Sequence, residues 1–73
     1  MQTTIPLKRQ LACARRELAL RRKAYPGWVQ RNKMTHAEAE EEIAAMEGII
    51  ATLLADLERE AQAGQMALFG TGA

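Results

Sequence analysis

Two runs of apolar residues in a three-and-four rhythm, separated by Pro26-Gly27, constrain this chain more than any other feature. In the first run Leu7, Leu11, Ala14, Leu18 and Tyr25 fall at spacings of four, three, four and seven. In the second, Ile43, Met46, Ile50, Leu53 and Leu57 keep the same beat, and Ile49 and Leu54 widen it. That period is helical, because residues three and four apart share one face of a helix, whereas strand patterns alternate every second residue. The expected fold is therefore all-α. It is an antiparallel two-helix hairpin with helices at about 5–25 and 35–63, a short helical turn near Trp28 and a flexible C-terminal tail. Residues 1–63 form the hairpin domain and residues 64–73 a tail carrying a linear motif.

The ends of both helices carry local signals. Thr4 is placed to cap the first helix, with Pro6 tolerated in its first turn because the missing N–H has no partner to lose there. That helix is expected to stop at Tyr25, since Pro26 disfavours helical backbone in the residue before it and Gly27 follows. Thr35-His36-Ala37-Glu38 spells a capping box for the second helix. Glu38, Glu40, Glu41 and Glu42 then complement the positive end of its dipole. Gly64 suits the position just past the end, so the second helix is expected to close near Ala63. Gly48, within that helix, marks a close helix contact. Trp28 and Val29 are expected to fold over the open end of the hairpin, with Trp28 as a core plug rather than an exposed stacking ring.

Charge is divided between the two halves. Residues 1–33 hold nine of the ten Lys and Arg against one acid, Glu17; residues 34–73 hold eight acids against one base, Arg59. Antiparallel pairing accounts for most of this. When Leu18 faces Ile43, Leu11 faces Ile50 and Leu7 faces Leu54, Arg22 falls opposite Glu40 and Arg15 opposite Glu47. Arg9, Arg16 and Lys23 remain on the outer face, a thin phosphate footprint without interleaved aromatics, so nucleic acid is not the expected partner. Leu20, Ile49 and Leu54 lie off the central seam, a surplus of apolar surface that small helical units meet by pairing. A homodimer forming a four-helix bundle is expected, or docking of this face on another protein.

The chain is 73 residues with one Trp, one Tyr and one Phe, which leaves little interior for an enzyme pocket once a core is filled. One cysteine and one histidine exclude an intrachain disulfide and most zinc or dyad arrangements. His36 reads as a solvated helix-start residue and Cys13 as a buried structural thiol. The acids from Glu38 to Glu42 lack the Glu-x-x-His motif of di-iron bundles. No glycine-rich phosphate loop occurs. The expectation is no catalysis, no cofactor and no metal. The start, from Met1 to Pro6, has no apolar run, and the longest apolar stretch, Gly48 to Ala55, is too short to span a bilayer. A cytoplasmic protein with no membrane partner is expected.

The last residues stand apart. Gln65-Met66-Ala67-Leu68-Phe69 precedes Gly70-Thr71-Gly72-Ala73. The pentapeptide resembles the clamp-binding motif of bacterial DNA polymerases and repair proteins, Gln-Leu-(Ser/Asp)-Leu-Phe, which docks in a cleft of the replicative sliding clamp. Gln65, Leu68 and Phe69 match its three most characteristic positions; Met66 is a mild apolar change, and Ala67 lacks the usual small polar side chain. By chance Gln-x-x-Leu-Phe arises in roughly one chain in a hundred of this length. The resemblance implies a partner, the sliding clamp, held through Gln65, Met66, Leu68 and Phe69. The competing expectation is that Met66, Leu68 and Phe69 fold back on the hairpin. The body, with Leu11-Ala12-Cys13-Ala14-Arg15-Arg16-Glu17-Leu18, Tyr25-Pro26-Gly27-Trp28-Val29 and Met34-Thr35-His36-Ala37-Glu38-Ala39, is similar to small uncharacterised helical-hairpin proteins of proteobacteria and their prophages. That likeness implies origin and fold and brings no activity with it. The alternative to a clamp-binding role is a structural, homo-oligomerising helical module.

Overall fold

A computed structural model describes the backbone of residues 4–70 and the side chains of residues 4–64. Two helices make the described fold: α1, Leu7–Gln30, and α2, His36–Gly70. They pack antiparallel as a hairpin, as the two apolar stripes require, in a body of 63 × 28 × 16 Å. A single helix with its side chains is about 10–12 Å across, so the short dimension is one layer thick.

The seam follows the sequence rhythm. Leu11, Ala14, Leu18 and Tyr25 are buried on α1, facing Ala39 and Met46 on α2. Ala14, Leu18 and Met46 form the centre, with Ile43, Ile50 and Leu53 half-buried against them. Ile43, expected opposite Leu18, packs against this cluster. Of the two expectations for Leu54, opposite Leu7 and off the central seam, the second holds, since it is exposed while Leu53 packs against the core. Among the described residues no side chain is fully enclosed. The fold is a zipper between two stripes, with solvent on both flanks.

Three helix ends differ from expectation. α1 is capped by Pro6 rather than Thr4, with the N–H groups of Arg9 and Gln10 donating to the Pro6 carbonyl at 3.0 and 3.1 Å. Helical backbone is disfavoured in the residue before proline, which weighs against a helix start ahead of Pro6 where no packing opposes it. At its other end α1 runs through Pro26 to Gln30, and the separate turn expected at Trp28 is the last turn of this helix. Pro26 withholds one backbone donor, but Tyr25 is buried in the seam and keeps the helix on course past it. Thirdly, α2 continues through Gly64 to Gly70 instead of closing near Ala63, and no described glycine has the left-handed backbone of a helix stop.

The stop of α1 lies at Asn32. Its φ of 59° is left-handed, its N–H donates to the Val29 carbonyl at 3.0 Å, and the Lys33 N–H donates to the Trp28 carbonyl at 2.9 Å. This pair of bonds is the Schellman closure, with Asn in the place glycine usually holds. Two residues later the capping box forms as expected. The Glu38 N–H donates to Thr35 Oγ1 and the Thr35 N–H to Glu38 Oε1, both at 3.0 Å.

Candidate functional site

The side chains of the four residues expected to bind a partner, Gln65, Met66, Leu68 and Phe69, lie outside the described residues. The backbone that bears them is the last part of α2. α1 has 24 residues and α2 has 35, so α2 outruns its partner. Among the described side chains of α2, Leu57 is the last half-buried apolar residue, and residues 58–64 are exposed throughout. The backbone of the pentapeptide thus continues α2 beyond an exposed stretch.

Across the zipper the charges meet in a different register from that expected. Arg22 pairs with Glu47 at 2.7 Å, not with Glu40, and Glu47 is therefore not the partner of Arg15. Arg21 pairs with Glu42 at 3.3 Å and with Glu17, four residues back on its own helix, at 3.0 Å. The cause is the turn. Because α1 reaches Gln30, the facing ends are Gln30 and His36 rather than Tyr25 and Thr35, and α2 slides relative to α1. Arg21 also lies three residues beyond Leu18 and four before Tyr25, so it occupies a seam position that the apolar pattern skips. Its hydrogen bond to Glu17 raises its pKa above the ordinary value, with Tyr25 and Glu42 adding to the effect. The arginine stays charged in the seam.

The remaining candidates are distributed as follows. His36 is solvated, as expected, with Nε2 3.0 Å from Glu40 Oε1. Cys13, expected to be buried, is exposed, and Arg16 Nη2 lies 4.0 Å from its Sγ. It directly precedes the buried Ala14, and the turn of about 100° per helical residue carries it out of the seam. Trp28, expected as a core plug, is 42% exposed and rests on Tyr25 with ring centroids 5.4 Å apart and planes tilted by 35°. Gly48 marks no close contact, since a Cβ there would meet nothing within 4 Å. Arg9, Arg16 and Lys23 are exposed along the outside of α1, one every seven residues. Among the described residues no cluster of His, Cys, Asp and Glu could hold a metal ion, and no helix is long and apolar enough to cross a membrane.

A groove of about 780 Å³ opens along one flank of the zipper, lined by Ile5, Cys13, Met46, Ile49 and Leu53 with Arg9, Gln10 and Glu17 at its edge. Leu20, 55% exposed, lies seven residues from Cys13 and so continues the same strip of α1. The sequence signal for this flank was the surplus of Leu20 and Ile49 beyond the seam; Leu54 falls on the opposite flank. Comparison with protein-family models, with curated proteins and with solved structures finds no match for this chain.

Proposed function

We propose that this chain is a non-enzymatic interaction protein whose Gln65-Met66-Ala67-Leu68-Phe69 segment docks on the bacterial DNA polymerase sliding clamp. There it tethers a replication or repair factor or competes with one. The observation that carries the reading is the placement of this residue pattern on the part of α2 that outruns α1. Docking of such a motif needs an extended peptide. Residues 58–64 are exposed, and Gly64 lowers local helix preference by about 1 kcal/mol relative to Ala, so unwinding beyond Leu57 disturbs little of the zipper. By the resemblance, Leu68 and Phe69 fill an apolar pocket while Gln65 hydrogen-bonds at a second subsite. A few buried side chains set against the ordering of the peptide give micromolar affinity, about −8 kcal/mol.

The test is calorimetric titration of the intact protein into a purified bacterial sliding clamp, beside the Leu68→Ala/Phe69→Ala double variant. Micromolar binding lost in the variant at unchanged helix content supports the reading. Absence of heat from both proteins ends it.

A further inference from the structure

We infer that a second copy of this chain covers the groove between α1 and α2, with α1 of each copy lying antiparallel on α2 of the other. The inference concerns the hairpin body and is independent of clamp docking. Its first ground is burial. The hairpin is one helix layer thick, none of its described side chains is fully enclosed, and the groove is floored by the buried Met46 and half-buried Leu53 of the seam itself. Ile49 is 49% exposed at the groove wall and Leu20 55% exposed on the continuing strip. A standard interface takes about 800 Å² from each partner, and the paired length of the hairpin, the 24 residues of α1 at about 1.5 Å each, offers a two-helix-wide face of that order.

The second ground is charge, which selects both the occupant and its orientation. Arg9, Arg16 and Lys23 are exposed on α1, and Glu38, Glu41 and Glu42 on α2, of which Glu41 is turned away from the seam while Glu42 meets Arg21 of its own chain and Glu38 serves the capping box. Two hairpins joined through this face by a two-fold axis have two arrangements. An axis across the helices sets α1 on α1 and repeats bases against bases. An axis along the helices sets α1 on α2, so that every neighbour is antiparallel and opposite in charge. The chain is its own complement in the second arrangement only. Lys23 of one copy then comes to the rim beside Glu41 of the other, a pair that lies on opposite outer edges of the single hairpin.

Sedimentation equilibrium of the intact protein over a concentration series tests this. The mass is expected to rise from 8.1 kDa to twice that value. Leu20→Arg and Ile49→Glu, both exposed in the single hairpin, are expected to weaken association at least tenfold with unchanged helix content. Leu54→Glu, on the opposite flank, is expected to leave it unchanged. Lys23→Glu is expected to weaken it and Lys23→Glu/Glu41→Lys to restore it. Cys13, at the groove, is expected to react more slowly with a maleimide as the dimer fills. A monomer at every concentration overturns the inference. So does equal weakening by Leu54→Glu, or a Cys13 protection that ignores concentration, which would mean that the chain's own last residues occupy the groove.

Discussion

Arg21 of α1 reaches over the seam and donates through Nη1 to the backbone carbonyl of Glu42 at 3.0 Å, besides meeting its carboxylate. A backbone acceptor cannot swing away as a side chain can, so this bond fixes which turn of α2 lies beside which turn of α1. Arg21 thus holds register from a position where an apolar residue would hold more surface. Buried or half-buried ion pairs commonly give no net stability over an apolar replacement. Arg21→Met is expected to raise the thermal midpoint followed by circular dichroism. Arg21→Glu, set against Glu17 and Glu42, is expected to lower it sharply.

The φ of 59° at Asn32 makes a second prediction. Left-handed backbone costs an ordinary L-residue about 1–2 kcal/mol, and glycine nothing. Asn32→Val is expected to lose about that much in urea unfolding, while Asn32→Gly holds or gains.

Gly48 lies inside α2 with open space where a Cβ would be. Gly48→Ala is therefore expected to stabilise by about 1 kcal/mol, from helix preference alone. A loss on chemical denaturation would show that something approaches this surface closely in solution.

The capping box makes stability depend on acid. The bonds from the Thr35 backbone N–H and its hydroxyl lower the Glu38 pKa from its ordinary value of 4.5. A carboxylate whose folded pKa is depressed contributes stability above its unfolded pKa and loses it as pH falls through the folded one. Helix content is expected to fall more steeply below about pH 4.5 in the native chain than in Glu38→Gln, whose amide keeps the reciprocal bond without titrating. Thr35→Ala is expected to cost about 1 kcal/mol at neutral pH.

Most of the fold was legible because it rests on period and capping, both local to the sequence. The stripes from Leu7 to Tyr25 and from Ile43 to Leu57, the Thr35–Glu38 box and the outward Leu20, Ile49 and Leu54 all stand where their spacing places them. What was not legible depends on where the turn closes. Pro26 carries a stop signal that the buried Tyr25 overrides, and the working stop, Asn32, is a residue that serves loops and helix ends alike. Once the turn moved, the facing pairs moved with it, and Glu47 met Arg22 instead of Arg15. Arg21 was invisible because an apolar count passes over a charge in the seam. The groove was legible only as a surplus, since spacing tells which residues leave the seam and not that the space between them stays open.

The five-residue link from Gln30 to His36 has a consequence for the order in which the hairpin assembles. Contacts next to that link join residues close in sequence, and those between Leu7 and Leu57 span almost the whole chain. Closing short loops first costs least entropy, so the zipper is expected to start at Asn32 and run outward. Amide hydrogens should then exchange in the reverse order, slowest around Ala39 and Ile43 and fastest past Leu57. The end of the molecule that forms last is the end that carries Leu68 and Phe69. Such a hairpin can open its outer turns and offer them to a partner while its closed end stays folded.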